Sequence, residues 1–234
     1  MKAIFKRELQ AYFKTPVGYI FIGMFLLISA FYFIIYTLLS GYPTIDTVLY
    51  SLLSVFMFLI PILTMRLLSE EKNKKTDQLL LTSPASVPSI VLGKFFAACT
   101  IYMITLVLTL LYLVVIGMHG EPAYLQTLCN YIGFALLGIT FISIGLFISS
   151  LTENQIVAAV ITFVLFIVLY LMDSLKDMVT IPVISPIFSA LSITTRFNEF
   201  NLGVLSAVPV VYYLSATTLF LYLTCHALES RRFK

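Results

Sequence analysis

Residues 69–94 read SEEKNKKTDQLLLTSPASVPSIVLGK. Glu70, Glu71, Lys72, Lys74, Lys75 and Asp77 fall within eight positions, followed by Leu79, Leu80 and Leu81 and a Ser83-Pro84 break. On either side the chain is Leu, Ile, Val and Phe with hardly a charge. The whole sequence is 60% hydrophobic and 11% charged over 234 residues, with a mean hydropathy of +1.03. A soluble domain is about a quarter charged, so this chain lacks the polar residues to cover itself in water. It reads as an all-α polytopic membrane protein, a single domain over 1–234, in which 69–94 is the one long charged connection.

Working outward, a helix needs about 20 apolar residues to cross roughly 30 Å of hydrocarbon. Uncharged runs of that kind occupy 17–40, 47–65, 95–117, 123–150, 155–172 and 204–225. With their ends included, the predicted spans are 17–40, 47–68, 90–117, 123–150, 155–172 and 204–228. Residues 69–89 then join spans 2 and 3, and 173–203 join spans 5 and 6. Segment 178–194 is also apolar, but Pro182 and Pro186 interrupt it, so it reads as an interfacial or re-entrant piece.

The basic residues fix the sidedness. Lys2, Lys6, Arg7 and Lys14, the loop group Arg66, Lys72, Lys74, Lys75 and Lys94, and Arg231, Arg232 and Lys234 share one side of a six-span chain. Together they are 12 of the 14 Lys and Arg; Lys176 and Arg196 face them. The excess of Lys and Arg predicts both termini in the cytoplasm.

Residues 2–14 form a separate element. Lys2, Lys6, Gln10 and Lys14 recur every four residues, while Ile4, Phe5, Leu9, Tyr12 and Phe13 fill another face. That pattern predicts a helix in the membrane interface with its lysines reaching water. Pro16 ends it and Gly18 is expected to let the chain turn into the bilayer. The run Val17–Leu39 is too long for a signal-peptide core, so it reads as a retained first helix.

The spans exclude several functions. None of the six runs contains Asp, Glu, Lys, Arg or His, which argues against a proton-coupled carrier and an intramembrane hydrolase. His119 falls in an outer loop and His226 at the inner membrane edge. Cys99, Cys129 and Cys225 are scattered through apolar runs, as packing residues rather than a disulfide or metal framework. Gly93-Lys94 is followed by Phe95, and Pro88 stands where a phosphate-binding loop needs its first glycine. The chain is therefore expected not to be an enzyme by itself and to bind no cofactor or metal. The net charge of +3 gives no reason to expect nucleic acid. Any energy source belongs to another polypeptide.

In the charged stretch, span 2 is expected to continue as a helix through Glu70, Glu71 and Lys72, where water solvates the charges. Thr76 can cap a short helix carrying Leu79, Leu80 and Leu81, which Ser83-Pro84 stops. Ser86 then caps span 3, with Pro88 in its first turn. Three leucines on a projecting helix either dock in a groove on a partner or fold back on the membrane.

The stretch IPILTMRLLSEEKNKKTDQLLLTSPASVPSIVLGKFFAA resembles the signature region of ABC-2 type transporter permeases. It is most similar to the gliding-motility and nitrous-oxide-reductase-maturation branch. KRELQAYFKTPVGYIFIGMFLL, SSLTENQIVAAVITFVLFIVLYLMD and RFNEFNLGVLSAVPVVYYLSATTLFLYLTCHALESRRFK agree in the same order, so the similarity covers nearly the whole chain. The resemblance implies a six-helix permease of a prokaryotic plasma (inner) membrane, acting in ATP-driven transport, most simply export. It implies two ABC ATPase subunits that hold ATP and Mg, and a second permease copy or a sister permease. There is also room for an accessory periplasmic or membrane subunit. The loop between spans 2 and 3 would be the coupling helix that enters the ATPase groove, carried here by Thr76 to Pro84 with Glu70 and Glu71 at its approach. The turn 151–155, with Glu153, would be a second contact. Helix 2–14 would be the interfacial connecting helix. Segment 177–203 would form short outer helices closing the pathway, with Pro182, Pro186, Arg196 and Glu199 as gate candidates.

On that reading, ATP-driven motion tilts spans 1, 2 and 5 at the permease dimer interface. Gly18, Gly23, Ala158 and Ala159 would let those helices pack closely, while Gly133, Gly138, Gly145 and Ser149 serve span 4. Two other classes fit the same composition. One is a membrane scaffold that anchors a cytosolic ATPase or assembly complex without passing anything. The other is a six-span channel or facilitator that needs no ATP.

Overall fold

The computed structural model describes residues 1–41, 44–76, 86–119, 123–176, 193–204 and 206–232. Among the described residues every regular element is helical. The first, α1 (Lys2–Lys14), is built mostly from Lys, Arg, Glu, Leu, Gln and Ala, all strong helix formers. It stops because Pro16 drives the preceding Thr15 into an extended conformation, φ −106° and ψ 156°. Pro16 then opens α2 (Pro16–Phe33), where its missing N–H is harmless. Gly18 is not the turning point the sequence suggested. It is helical and buried, and a Cβ there would lie 2.7 Å from the Tyr12 carbonyl oxygen. The chain turns at Thr15, and Gly18 lets α2 pass close under α1.

The α2 helix ends in a π-helical turn, Ile34–Leu38. Next come α3 (Asp46–Thr64) and α4 (Arg66–Asn73), joined at Met65. Pro61 sits inside α3 and removes one helical hydrogen bond a turn before that joint. The remaining elements are α5 (Val87–Thr109), α6 (Leu111–His119), α7 (Tyr124–Leu151), α8 (Gln155–Lys176), α9 (Ile193–Asn201) and α10 (Ala207–Arg232).

Thr76 closes α4: its N–H donates to the Glu71 carbonyl at 2.9 Å and the Lys75 N–H to the Lys72 carbonyl at 3.0 Å; the short helix it was expected to open falls outside the described residues. With Lys75 at φ 55°, that pair of bonds is a Schellman C-cap. Ser86 does occupy the N-cap position of α5, with Pro88 in the first turn, but its hydroxyl makes no capping hydrogen bond.

Six helices among the described residues are long and apolar enough to cross a membrane: Pro16–Leu38, Asp46–Asn73, Val87–Met118, Tyr124–Leu151, Gln155–Met172 and Ala207–Ser230. The second and fourth are central, 67% and 72% buried, whereas the others are 17–39% buried. An aromatic core joins them. The rings of Phe56 on α3 and Phe134 on α7 are 4.6 Å apart, with Phe25, Tyr102 and Phe141 around them. The Tyr102 hydroxyl donates to the Phe134 carbonyl at 2.7 Å, and Gly138 leaves room for that ring.

Helices α7 and α10 run parallel, since Thr140 bonds Thr217 and Phe147 meets Phe220. The C-terminal end of α7 packs on α4, and α1 is bound to α4 by ion pairs. The N-terminal helix and the end of α10 therefore share one end of the bundle, which carries most of the Lys and Arg. At the opposite end α9 drives Phe197 and Phe200, both fully buried, between its neighbours. Phe197 meets Phe134 and Phe200 packs on Gly133, about 14 Å along α7 at 1.5 Å per residue.

Candidate functional site

The site that the fold assembles lies at the basic end, around the joint between α3 and α4. Here the sequence reading was wrong about solvent. Glu70, Glu71 and Lys72 are not water-covered charges: the side chains of Glu70 and Glu71 are 22% and 16% exposed, and Lys72 is 5% exposed. Lys94, read as a loop-edge charge, is 1% exposed in the second turn of α5.

Ion pairs account for that burial. The Lys94 ammonium lies 3.0 Å from Glu8 of α1 and 3.0 Å from Glu71 of α4. The Arg7 guanidinium meets the same two carboxylates, at 2.7 Å and 2.6 Å. Beside them Glu70 accepts from Arg66 at 3.0 Å and Lys74 at 2.7 Å. A buried ammonium is tolerated only where its charge is paired and hydrogen-bonded. Two carboxylates from two different helices meet that requirement, so α1, α4 and α5 are fastened at one point. A polar hollow of about 240 Å³ lies among these side chains.

Electrostatics follow the geometry. Burial pushes the Glu8 carboxyl up, but Lys94 and Arg7 outweigh it, and the net direction is below its ordinary value. Burial lowers Arg7, while Glu8 and Glu71 raise it further, so it stays cationic. Burial and the Glu8 charge push the Tyr12 phenol up. It acts as a donor, to the Leu63 carbonyl at 2.8 Å. Arg66 adds a bond to the Thr15 hydroxyl at 2.7 Å and lies over the Tyr12 ring. Helix α1 is therefore docked on protein along its Phe5, Glu8, Leu9 and Tyr12 face. Lys2, Lys6 and Lys14 remain exposed, but the face predicted to sit in lipid is largely covered by α5 and α2.

On the other flank, α7 holds the joint itself. The Ser149 hydroxyl accepts from the Leu68 and Ser69 amides, both at 3.1 Å, and donates to the Met65 carbonyl at 3.0 Å. It supplies from outside the caps that a helix start needs. One turn earlier Gly145 gives way to Thr64, where any Cβ would collide with the threonine side chain. The Lys72 ammonium donates to the Ser150 carbonyl. The following turn is short because Asn154 caps α8, its Oδ1 accepting from the Ile156 amide at 2.9 Å.

The predicted residues divide accordingly. Glu70, Glu71 and Thr76 come together around the hollow shared with Arg7, Glu8 and Lys94. Helix α4 also packs on α7 and α8, the helices joined by the turn that holds the exposed Glu153. Leu79, Leu80, Leu81, Ser83 and Pro84 lie outside the described residues, as do Pro182 and Pro186. At the far end Arg196 lies 3.7 Å from Glu199 and over the Tyr212 ring, and Glu199 accepts from the Ser206 hydroxyl at 2.6 Å. Gly18, Gly133, Gly138 and Gly145 are close contacts within the chain, whereas Gly23 faces open space.

Glu8, Lys94 and Ser149 were missed as participants. Glu8 had a readable signal: it shares the apolar face at 5, 8, 9 and 12, where an acid requires a buried cation. Lys94 had a weaker one, a lone charge two turns into an apolar helix.

The described residues contain no cluster of three metal-ligating side chains. The arrangement is a mechanical joint: a helix rising from the central α3 and braced on three sides. No curated protein matches the chain. Residues 43–228 match the family model described as ABC-2 family transporter protein, a range that runs from before α3 into α10 and includes the joint. With six membrane-length helices and a match over most of its length, the chain is a multi-pass membrane protein that belongs to the ABC-2 transporter family.

Proposed function

We propose that this chain is the permease subunit of an ATP-driven ABC-2 exporter, of the gliding-motility and nitrous-oxide-reductase-maturation type. It sits in a prokaryotic inner membrane with its basic end in the cytoplasm. Two ATPase subunits holding ATP and Mg dock on the loop after α4, and a second permease, identical or a sister chain, completes the pathway. An accessory subunit can join at the opposite face.

The observation that carries this reading is the braced α4. The loop it leads into enters the ATPase groove through Leu79, Leu80 and Leu81. When the ATPases close, that loop moves, and α4 cannot move alone. Lys94 ties it to α1 and α5, Ser149 and Lys72 tie it to α7, and α3 continues it into the aromatic core. Motion at the loop becomes tilt of the central helices. The outer helix α9, held by Phe197 and Phe200, is placed to close the far end.

The test is purification of the chain from its native membrane in mild detergent, with identification of co-purifying proteins. A stoichiometric P-loop ATPase that Leu80→Asp removes is the expected result. A chain that purifies without an ATPase would overturn the reading and favour a channel. An ATPase that binds, but whose turnover never responds to the permease, would favour a scaffold.

A further inference from the structure

A groove runs along the outside of α5, away from the joint. Near the basic end a hollow of about 380 Å³ is lined by Lys2 and Phe5 of α1 and by Gly93, Phe96 and Thr100 of α5. Phe96 and Thr100 also line a second hollow of about 680 Å³, which continues along Met103 and Val107 with Ile139 of α7 behind and Leu214 of α10 opposite. The two adjoin at Phe96 and Thr100. Positions 93, 96, 100, 103 and 107 alternate by three and four, the spacing of a straight stripe on a helix.

The dimensions match one leaflet of a bilayer. From Gly93 to Val107 the stripe is about 21 Å long at 1.5 Å per residue. Half of a bilayer, headgroups included, is about 20–22 Å. The wall is apolar throughout the upper hollow apart from Thr100 and Thr217, whose hydroxyls bond within the protein to the Phe96 carbonyl and to Tyr213 and Thr140. Nothing there asks for a polar ligand. At the lower mouth the chemistry changes to a cation. Lys2 is exposed, Lys6 follows one turn later on the same face, and neither forms an ion pair among the described residues. Gly93 lets α1 lie close on α5 at this end, since a Cβ there would lie 3.0 Å from the Ile4 side chain.

We propose that this groove is a binding site for one anionic phospholipid. Its phosphate meets Lys2 at the mouth and one acyl chain lies along the stripe from Phe96 to Val107. A straight apolar groove, one leaflet deep and cationic at its headgroup end, has the shape and charge of that ligand. A zwitterionic lipid fits the same wall but cancels the charge at the mouth. Each lysine near an anionic headgroup contributes about fivefold in affinity. The site does not depend on the permease reading, because it needs only the membrane and the packing of α1 on α5.

The experiment uses the full chain in detergent, titrated with phosphatidylglycerol or phosphatidylcholine and read by native mass spectrometry. The expected result is one phosphatidylglycerol retained per chain, preferred about fivefold or more over phosphatidylcholine. Lys2→Glu, at an exposed position that folding does not need, should abolish the preference. Thr100→Trp, which fills the groove at its middle, should remove the retained lipid of either kind. Equal retention of the two lipids by the unaltered chain would overturn the proposal. So would retention unchanged in Lys2→Glu, or a Thr100→Trp chain that keeps its lipid but loses a dimer, which would make the groove a seat for a second copy.

Discussion

The Lys94 ammonium, one residue before the uncharged run 95–117, lies 3.0 Å from the Glu71 carboxylate. Glu8 completes the arrangement from a third helix. A charge that a membrane protein keeps buried this way costs several kcal/mol to desolvate, so the contact holds only while all three helices stay together. That makes it a latch between α1, α4 and α5.

Lys94→Met should release it. Among the described residues the two carboxylates then share only Arg7, and removing one partner of a buried pair costs about 3–5 kcal/mol. The expected outcome is a lower unfolding temperature in detergent and protease cleavage within residues 2–14. Adding Glu8→Gln to Lys94→Met should restore part of the loss. A single variant as stable as the parent would show the latch to be idle.

The latch should also open with acid. Glu8 titrates below its ordinary value in the folded chain, so its contribution is complete above the usual carboxylate value of about 4.3. It is lost as pH falls below that value and through the lower folded one. Protease access to α1, measured on the detergent-solubilised chain, should rise over that interval and stay flat above it. Glu8→Gln should remove the transition.

Ser149→Ala addresses the other flank. Without the hydroxyl, the Leu68 and Ser69 amides and the Met65 carbonyl lose a buried partner, at a cost of about 1–3 kcal/mol. Hydrogen exchange should quicken in 65–73 and leave α5 unchanged. If the chain is the permease proposed above, ATP turnover of its complex should continue in the variant while transport falls. Loss of both together would mean that the joint only supports the fold.

Gly133→Leu tests the far end. A Cβ at Gly133 meets the Phe200 ring at 2.5 Å, so a leucine must push α9 out of its seat, with an expected cost of about 1–3 kcal/mol. A cysteine reporter at Phe197 should be inert to a membrane-impermeant thiol reagent in the parent and labelled in the variant. Equal protection in both would mean that α9 does not move as a unit.

Much of the architecture was open to reading along the chain. Apolar length decided the six spans, Pro16 decided where α1 ends, and the clustered Lys and Arg decided that both terminal helices belong together. Those properties are local, because a bilayer imposes length and hydrophobicity on each segment separately. The partners of the charges were not open to reading in that way. Glu8, Glu71 and Lys94 are far apart in sequence, and composition alone made them solvated residues of loops and an interface.

The same limit applies at α9. Its sequence, ITTRFNEFN, is polar enough to sit on a surface, yet Phe197 and Phe200 are fully buried because Phe134 and Gly133 of α7 leave a place for them. The sequence by itself determined that this protein is a six-span helical membrane protein with one charged end. Only the tertiary structure decided that the charges form a latch, that Ser149 holds the joint, and that α9 enters the bundle. The physical reason is that the first depends on how each segment partitions between water and lipid, while the second depends on which side chains separate helices bring within 3 Å of one another.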